Sequence, residues 1–303
     1  MYAFSIVIPI YNSSTYIEKN LISNISRIDK NDRYEIILVD DCSADIEKIK
    51  QIINKYENIF VIEKEKKSNA ADSRNIGFLN SKYDLVLFVD SDDFFLDNYY
   101  QRRDQLHKST KAGVVFGDFL LNMHGKIFQK NLPNYMGGDT RDYLFGMKGD
   151  IRSSTISIFK PYFNQSLFDP LSAKHQDWIF GIRIFDNNEK IYFDNQPYSQ
   201  INVLNNQRMS SSYNLNASKY LIKTYLGKQE HINSFSRNHW VNLLANYNKE
   251  ARDFYFNMFI PLSLKDRLFL IFYKSISSEA LIVFTSKLVL YIKRVKWFLL
   301  SKK

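Results

Sequence analysis

Residues 85–93 read Leu-Val-Leu-Phe-Val-Asp-Ser-Asp-Asp, five apolar residues followed by an acidic turn. A short apolar run of this kind predicts a strand covered on both faces, as in a parallel sheet flanked by helices. The turn Asp90–Asp93 then follows the carboxyl end of that strand. One interpretation is a solvated turn that caps the next helix, since Asp and Ser are common capping residues. The other is a site for a hard cation, which prefers oxygen ligands.

Similar strands alternate with helices through the first 120 residues. Apolar runs predict strands at Phe4–Pro9, Tyr34–Val39, Ile59–Ile62, Leu85–Val89 and Val114–Phe116. Apolar residues at helical spacing predict helices between them, the third at Ala70–Leu79, and Thr15 and Ser43 are expected to cap the first two. Strands and helices that alternate at this spacing along the chain predict a mostly parallel sheet. In such sheets ligands bind beyond the carboxyl ends of the strands.

That edge of the sheet is expected to be acidic. Asp40 and Asp41 follow the second strand, and the turn Asp90–Asp93 follows the fourth. Carboxylates that converge in this way repel one another unless a positive group compensates for their charge. A divalent cation that carries a diphosphate would do so, and it would neutralise a leaving nucleoside diphosphate.

Composition excludes several other classes of protein. The 303 residues are 45% hydrophobic and 24% charged, with a net charge of +9, which is typical of a globular protein with a basic surface. Paired Cys/His spacing and a basic region running into heptads are absent, so nucleic acid is not expected as a partner. The single cysteine, Cys42, excludes a disulfide within the chain and fits a cytoplasmic location. Apolar stretches long enough to span a membrane are absent.

Four segments in this order, SIVIPIYN (5–12), ILVDDCSAD (37–45), SRNIGF (73–78) and LFVDSDD (87–93), resemble family 2 glycosyltransferases of the GT-A fold. The resemblance is strong over residues 3–120 and weaker to about residue 212. It implies a catalytic domain at 1–212, in which 1–120 binds the nucleotide sugar and 121–212 the acceptor. Residues 213–303 form a helical C-terminal region.

The resemblance also implies roles for single residues. The first loop, Pro9-Ile10-Tyr11-Asn12, would lie against the nucleotide base, and Asp40 would bind the uracil edge. Arg74 would help to hold the nucleotide. Asp90, Ser91 and Asp92 would form the Asp-x-Asp element, with Asp92 and Asp90 holding Mn²⁺ or Mg²⁺. Glycine often precedes the Ala-Arg-Asn element in the family, and its absence from residues 68–73 leaves the conformation of this loop open.

A general base is expected at Asp177, in the segment Lys174-His-Gln-Asp-Trp178, which is similar to the family's Glu-Asp element with Gln176 in place of Glu. Its alternative role is an acidic residue stabilised at a helix N-terminus. Arg208 is the candidate to close over the diphosphate, and an exposed loop arginine is the alternative.

The resemblance therefore implies an inverting transfer of one sugar from a UDP-linked donor to a saccharide or lipid-linked saccharide acceptor in capsule, lipopolysaccharide or other cell-surface glycan synthesis. A catalytically inactive saccharide-binding or scaffold protein is the alternative. Basic residues interleaved with apolar ones near the C-terminus are typical of a helix that lies on an anionic membrane, and packing on the catalytic domain is the other interpretation. The protein would then be cytoplasmic, peripheral on the inner face of the membrane.

Overall fold

The computed structural model describes residues 1–123, 125–203, 214–245, 248–275 and 278–300. The chain divides into two compact units, and we describe each by itself. The first comprises Met1–Leu144 and Lys148–Ser211, and the second comprises Phe145–Met147 and Ser212–Lys303. The sequence placed the boundary after residue 212 and assigned 145–147 to the first domain.

The first unit is built on a seven-stranded sheet with the order β10-β6-β9-β4-β1-β2-β3. These strands are β1 Ala3–Ile10, β2 Arg33–Asp40, β3 Ile59–Glu63, β4 Leu85–Phe88, β6 Val114–Gly117, β9 Ser157–Phe159 and β10 Ile191–Asp194. β1 pairs in parallel with β2 and β4, and β10 pairs in parallel with β6. Only β9 among these described strands runs antiparallel to its neighbours β4 and β6. The expected α/β fold with a mostly parallel central sheet is confirmed.

Five α-helices belong to the described part of this unit. They are α1 Ile17–Ile25, α2 Ile46–Ile53, α3 Ala70–Asn80, α4 Tyr99–Thr110 and α5 Gln176–Asp186. The strand interiors are buried, as their apolar runs require, with Ile6, Leu38 and Leu87 fully inaccessible. Ile10 lies opposite Asp40 in the β1–β2 register, so the loops that follow these two strands leave the sheet side by side.

Two predicted helix caps are wrong. Tyr16 occupies the cap position of α1 and Asp45 that of α2, neither with a capping side-chain bond. The Ser43 hydroxyl donates to Asp40 instead, so it is not available to the helix. The Asp45 carboxylate accepts from the Ser14 amide at 2.8 Å, which ties the loop after β1 to the start of α2. Bonds within and between these loops therefore hold the Ser43 and Asp45 side chains away from capping α2.

A second, four-stranded sheet has the order β5-β11-β7-β8. Its strands are β5 Phe94–Phe95, β7 Leu120–Met123, β8 Lys126–Gln129 and β11 Ser199–Val203. β5 immediately follows the acidic turn Asp90–Asp93 and pairs antiparallel with β11. The sequence did not predict this sheet, because a two-residue strand has no periodicity and its partner lies about 100 residues further along the chain.

Gly77 allows α3 to pack closely on the sheet. A Cβ atom at this position would lie 2.3 Å from Val7 Cγ1 and 3.2 Å from Val39 Cγ2, both of which are core atoms. We expect Gly77→Ala to lower the free energy of unfolding by about 1–3 kcal/mol, the usual cost of overpacking. Urea unfolding measures this change. Gly227→Ala is the control, because a Cβ there meets nothing within 4 Å. Equal destabilisation by the two variants would contradict this account of α3 packing.

The second unit contains the remaining helices. They are α6 Leu215–Tyr225, α7 Gln229–Ala245, α8 Lys249–Met258, α9 Leu264–Ser275 and α10 Glu279–Leu300. Trp240 of α7 is fully buried, with ring centroids 4.4 Å from Phe256 and 5.0 Å from Phe269. Within the described residues, none of these helices combines the length and the apolar character that crossing a membrane demands.

Candidate active site

The loops after β1 and β2 are joined by the side chain of Asn12. The side-chain oxygen Oδ1 of Asn12 accepts from the backbone N–H of Ala44 at 2.9 Å, and the backbone N–H of Asn12 donates to Ser43 Oγ at 2.9 Å. Asn12 adopts a left-handed conformation with φ 48°, which asparagine tolerates better than most residues. The side chain expected to bind the nucleotide therefore holds the two binding loops together in this structure.

The two acidic residues after β2 have separate partners. Asp40 is buried, and its carboxylate accepts bonds from both the amide and the hydroxyl of Ser43. Asp41 Oδ1 accepts from Lys64 Nζ at 2.7 Å and from the Ser68 amide at 2.7 Å. Asp40 thus organises its own turn, whereas Asp41 fixes the loop that follows β3.

Lys64, which sequence reasoning missed, is the cation at the centre of that loop. Its side chain is only 4% exposed and also lies 3.1 Å from Asp72 Oδ2 and 3.2 Å from Ser73 Oγ. Its place directly after β3, at the same sheet edge as Asp40 and Asp41, was the signal that could have identified it.

The loop that lacks glycine is ordered by polar side chains. Asn69 Oδ1 accepts from the Asp72 amide at 3.1 Å and caps α3, and Ser68 Oγ donates to Asp72 Oδ2 at 2.7 Å. The side chain of Lys67 extends from this loop, and its Nζ lies 3.6 Å from the ring centroid of Tyr11. Tyr11 is half-exposed and Pro9 partly buried, so the aromatic ring of the first loop remains accessible beside a lysine.

The turn after β4 is held from several directions. The Asp90 amide donates to Ser154 Oγ at 3.0 Å, and the same hydroxyl donates to Asp93 Oδ2 at 2.7 Å. Asn202 of β11 donates through its backbone amide to Asp93 Oδ1 at 2.8 Å and through its side chain to the carbonyl of Asp92 at 2.6 Å. The carbonyl of Ser91 accepts from the side chain of Asn20. The carboxylates of Asp90 and Asp92 remain partly exposed, whereas Asp93 is buried.

Arg74 connects the Asp-x-Asp turn to the start of α5. The side chain is almost completely buried, and its Nη2 donates to Asp90 Oδ1 at 2.6 Å. Its Nη1 donates to Gln176 Oε1 at 3.0 Å, and its guanidinium lies 5.4 Å from the Phe168 ring centroid. Gln176 Nε2 donates in turn to the carbonyl of Ser172 at 2.9 Å. The arginine is therefore fixed in place by one carboxylate and one neutral amide.

Asp177 lies in the first turn of α5, beside the same cluster. Asp177 Oδ1 accepts from Ser153 Oγ at 2.9 Å, and that hydroxyl also lies 3.4 Å from Asp90 Oδ2. Burial raises the pKa of the Asp177 carboxyl above its ordinary value, while the nearby guanidinium of Arg74 opposes the shift. Three residues predicted from separate segments, Arg74, Asp90 and Asp177, are thus brought together.

Ser153 and Ser154 were missed by sequence reasoning. They precede β9, the antiparallel strand inserted between β4 and β6, and this insertion brings both hydroxyls to the end of β4. Their segment, Arg152-Ser-Ser-Thr-Ile, carries no recognisable motif.

Arg152 was missed as well. Its Nε pairs with Asp150 Oδ2 at 2.8 Å, and Asp150 Oδ1 accepts from Trp178 Nε1 at 2.9 Å. Arg208, which is predicted to close over the diphosphate, lies outside the described residues.

The acidic turn carries the electrostatic repulsion expected from its sequence. Burial raises the pKa of Asp93 well above its usual range, and the neighbouring carboxylates of Asp92 and Asp90 raise it further. Over the part of the chain that the structure describes, however, His, Cys, Asp and Glu side chains do not form a group of three or more placed to hold a metal ion. A cation at Asp90 and Asp92 therefore fits this donor set only if other ligands, such as diphosphate oxygens, complete its coordination.

Comparison with known proteins identifies the class. Residues 5–168 match the family model described as Glycosyl transferase family 2, and the chain belongs to this family. Among its relatives is the amylovoran biosynthesis glycosyltransferase AmsB of Erwinia amylovora, which is 28% identical over 230 residues, 72% of this chain and 75% of AmsB. Another is the poly(ribitol-phosphate) beta-N-acetylglucosaminyltransferase TarP of Staphylococcus aureus, which is 26% identical over 225 residues, 71% of this chain and 66% of TarP.

Solved structures agree on the fold. The crystal structure of S. aureus TarS 1-349 in complex with UDP-GlcNAc superimposes with a TM-score of 0.60 at 17% identity, covering 84% of this chain and 79% of that one. TarS 1-349 has also been crystallised with UDP. The protein is a family 2 glycosyltransferase of the GT-A type with C-terminal helices.

Proposed function

We propose that this protein is an inverting, metal-dependent glycosyltransferase that moves one sugar from a UDP-sugar to a saccharide or lipid-linked saccharide acceptor. The observation that supports this most is the position of Asp177. Its carboxylate and that of Asp90 both lie within reach of Ser153 Oγ, at 2.9 and 3.4 Å. A candidate general base and a candidate metal-binding carboxylate are therefore close to each other, as a transfer reaction requires.

The donor would lie across the carboxyl ends of β1, β2 and β4. The uracil ring of the nucleotide would stack near Tyr11 beside Pro9, with its hydrogen-bonding edge toward Asp40. Because Ser43 now occupies the Asp40 carboxylate, uracil would have to share that carboxylate or displace the serine hydroxyl. The UDP and UDP-GlcNAc complexes of TarS support a UDP-linked donor. Arg208 would approach the diphosphate from the segment that follows β11.

Asp92 and Asp90 would hold the divalent cation, Mn²⁺ or Mg²⁺, together with oxygens of the diphosphate. When bound, such an ion stabilises the negative charge of the leaving nucleoside diphosphate. Arg74 keeps Asp90 oriented through the 2.6 Å ion pair. Gln176, the second hydrogen-bond partner of Arg74, is neutral, so the carboxylates that act on the guanidinium include those of Asp90 and Asp177.

Asp177 would accept the proton of the acceptor hydroxyl as that oxygen attacks the anomeric carbon. The new C–O bond forms on the face opposite the diphosphate while the bond to the diphosphate oxygen breaks, and the diphosphate leaves with the electron pair. A single displacement of this kind inverts the anomeric centre. The raised pKa of Asp177 suits this role, because a more basic carboxylate accepts the proton more readily.

The acceptor belongs, on this proposal, to capsule, lipopolysaccharide or another cell-surface glycan. The names of AmsB, for amylovoran, and TarP, for poly(ribitol-phosphate), support a surface polymer. We place the reaction in the cytoplasm at the inner face of the membrane. A lone cysteine, Cys42, is consistent with that compartment. An inactive scaffold is the competing function, and the pairing of Arg74 with Asp90 beside Asp177 disfavours it.

Calorimetric titration with UDP, GDP and dTDP, in manganese and in chelator, tests the donor site. We expect UDP to bind more tightly than GDP or dTDP, and to lose most of its affinity in chelator. Equal affinities of all three nucleotides, unaffected by chelator, would count against both the uracil contact at Asp40 and the cation at Asp90 and Asp92. Once an acceptor is found, the anomeric coupling constant of the product by NMR tests inversion.

Ser153→Ala should lower the rate of transfer about tenfold, the effect of one lost hydrogen bond to a charged group. The Ser153 bond favours the ionised form of Asp177, so its loss raises the pKa of that carboxyl further. Activity falls as pH drops through this pKa, and the acid limb of the rate profile should therefore move to higher pH. Ser81→Ala, which removes a buried hydroxyl bonded to Phe78, is the matched control. An unshifted acid limb in Ser153→Ala would exclude this positioning role.

A further inference from the structure

The excess of positive over negative charge in the chain lies in its C-terminal region. Residues 1–212 contain 26 Lys and Arg against 27 Asp and Glu, whereas residues 213–303 contain 15 against 5. The net charge of +9 therefore arises from the second compact unit alone. A nucleotide-binding domain close to neutrality does not require so basic an extension, which points to a separate anionic partner.

α9 exposes an apolar face to solvent. Leu264, Leu268, Ile271 and Phe272 recur at helical spacing on one side of the helix and are between 46% and 73% exposed. Asp266 and Leu270, on the other side, are buried. A surface helix of a globular protein normally shows the opposite arrangement, with its apolar residues facing the core.

Basic residues flank this apolar face. Arg267 and Lys274 lie along one side of it and Lys265 along the other, and all three are exposed. Apolar residues bordered by Lys and Arg on one helix are typical of helices that lie in the plane of a membrane interface. The pattern is specific to this exposed side, because the buried side carries Asp266 paired with Arg237.

α10 repeats the pattern within the same unit. Leu281, Phe284, Leu288 and Tyr291 follow one another at spacings of three, four and three and are exposed, with Lys287 exposed beside them. Ile282 and Ser286 form the buried side. Two helices of one unit thus turn apolar rather than polar residues to solvent, and exposed apolar surface of this extent marks an interaction site.

We propose that these exposed faces of α9 and α10, with their flanking basic residues, dock on an anionic membrane surface. The inference goes beyond the proposed sugar transfer and does not depend on it. Charge complementarity favours an anionic bilayer over a second copy of this chain, because two copies would bring two strongly basic units together. Apolar side chains would enter the interface while Arg267, Lys274 and Lys287 contact lipid headgroups.

Co-sedimentation of the full chain with vesicles tests this proposal. We expect binding to vesicles of phosphatidylcholine with phosphatidylglycerol, weak binding to phosphatidylcholine alone, and release of the protein in high salt. The charge variant, Arg267→Gln with Lys274→Gln and Lys287→Gln, should bind at least about tenfold more weakly. Its control, Lys19→Gln with Lys30→Gln and Lys130→Gln, loses the same charge from exposed positions of the first unit and should bind as the wild type does.

A second variant pair separates apolar contact from charge. Leu268→Gln with Phe284→Gln should also bind at least about tenfold more weakly. Phe60→Gln with Ile127→Gln, which are similarly exposed in the first unit, should leave binding unchanged. If the charge variant and the apolar variant both co-sediment with vesicles as strongly as the wild type does, the proposal is overturned. A dimer that Leu268→Gln with Phe284→Gln dissociates, without vesicle binding by the wild type, would overturn it in favour of self-association.

Discussion

Asp177→Asn should reduce sugar transfer by roughly 10²–10⁴-fold, the usual contribution of a general base, while UDP binding stays unchanged. Asparagine has nearly the shape of aspartate and can still accept the bond from Ser153 Oγ, so the surroundings of the residue should be preserved. It has no carboxylate to take the proton of the acceptor hydroxyl. Steady-state transfer kinetics, with nucleotide affinity measured in parallel, separate the two effects.

Asp186→Asn is the matched control for this variant. Asp186 lies at the other end of α5, where it pairs with Arg141 at 2.6 Å on the surface. The two variants make the same chemical change in one helix, so an effect of lost charge or of helix stability would appear in both. Normal transfer by Asp177→Asn would mean that the base lies elsewhere.

Asp92→Ala should abolish the manganese-dependent part of UDP binding. A metal–diphosphate interaction is worth several kcal/mol, which corresponds to roughly 100-fold or more in affinity. The backbone carbonyl of Asp92 accepts from the side chain of Asn202, so the turn should keep its conformation when the carboxylate is removed. Titration of UDP with and without manganese measures the effect directly.

Asp97→Ala is the control for the acidic turn, because Asp97 is an exposed carboxylate paired only at the surface with Arg27 at 3.3 Å. Its manganese-dependent affinity should match that of the wild type. If Asp92→Ala retained affinity for UDP that manganese increases, Asp92 would be excluded from the donor site.

The part of the site that lies on parallel strands was predictable from the sequence. Asp40 and Asp90 each end an apolar strand, and parallel strands bring their carboxyl ends to one edge. Arg74 and Asp177 were located through the family's motifs. The structure adds the reason for their proximity, which is that Arg74 Nη2 reaches Asp90 at 2.6 Å and Nη1 reaches Gln176, next to Asp177, at 3.0 Å.

The remainder depends on contacts between segments that are distant in the sequence. Ser153 and Ser154 reach the site only because β9 inserts antiparallel between two parallel strands, and no local pattern encodes that insertion. Asn202 reaches the acidic turn through the short β5–β11 pair. The predicted Ser43 cap was wrong for a related reason, since its hydroxyl donates to Asp40 and accepts from the backbone N–H of Asn12 instead of capping α2.

Gln176 illustrates how a departure from a family pattern acquires a physical meaning. Glutamate at this position would form an ion pair with Arg74 and compete with Asp90 for its charge. The neutral amide instead accepts one bond from Arg74 and donates another to the carbonyl of Ser172. The arginine is therefore held by an ion pair with Asp90 and a neutral bond to Gln176, while the Asp177 carboxylate also acts on its charge.

Release of UDP, GDP and dTDP from a panel of nucleotide sugars, without acceptor and in manganese or chelator, tests whether this protein activates a UDP-sugar with the help of a metal ion. Slow hydrolysis of a UDP-sugar in manganese, lost in chelator, is the result that we predict, and it would name the sugar at the same time. No release from any donor, together with no nucleotide binding, would contradict the account and favour an inactive saccharide-binding protein.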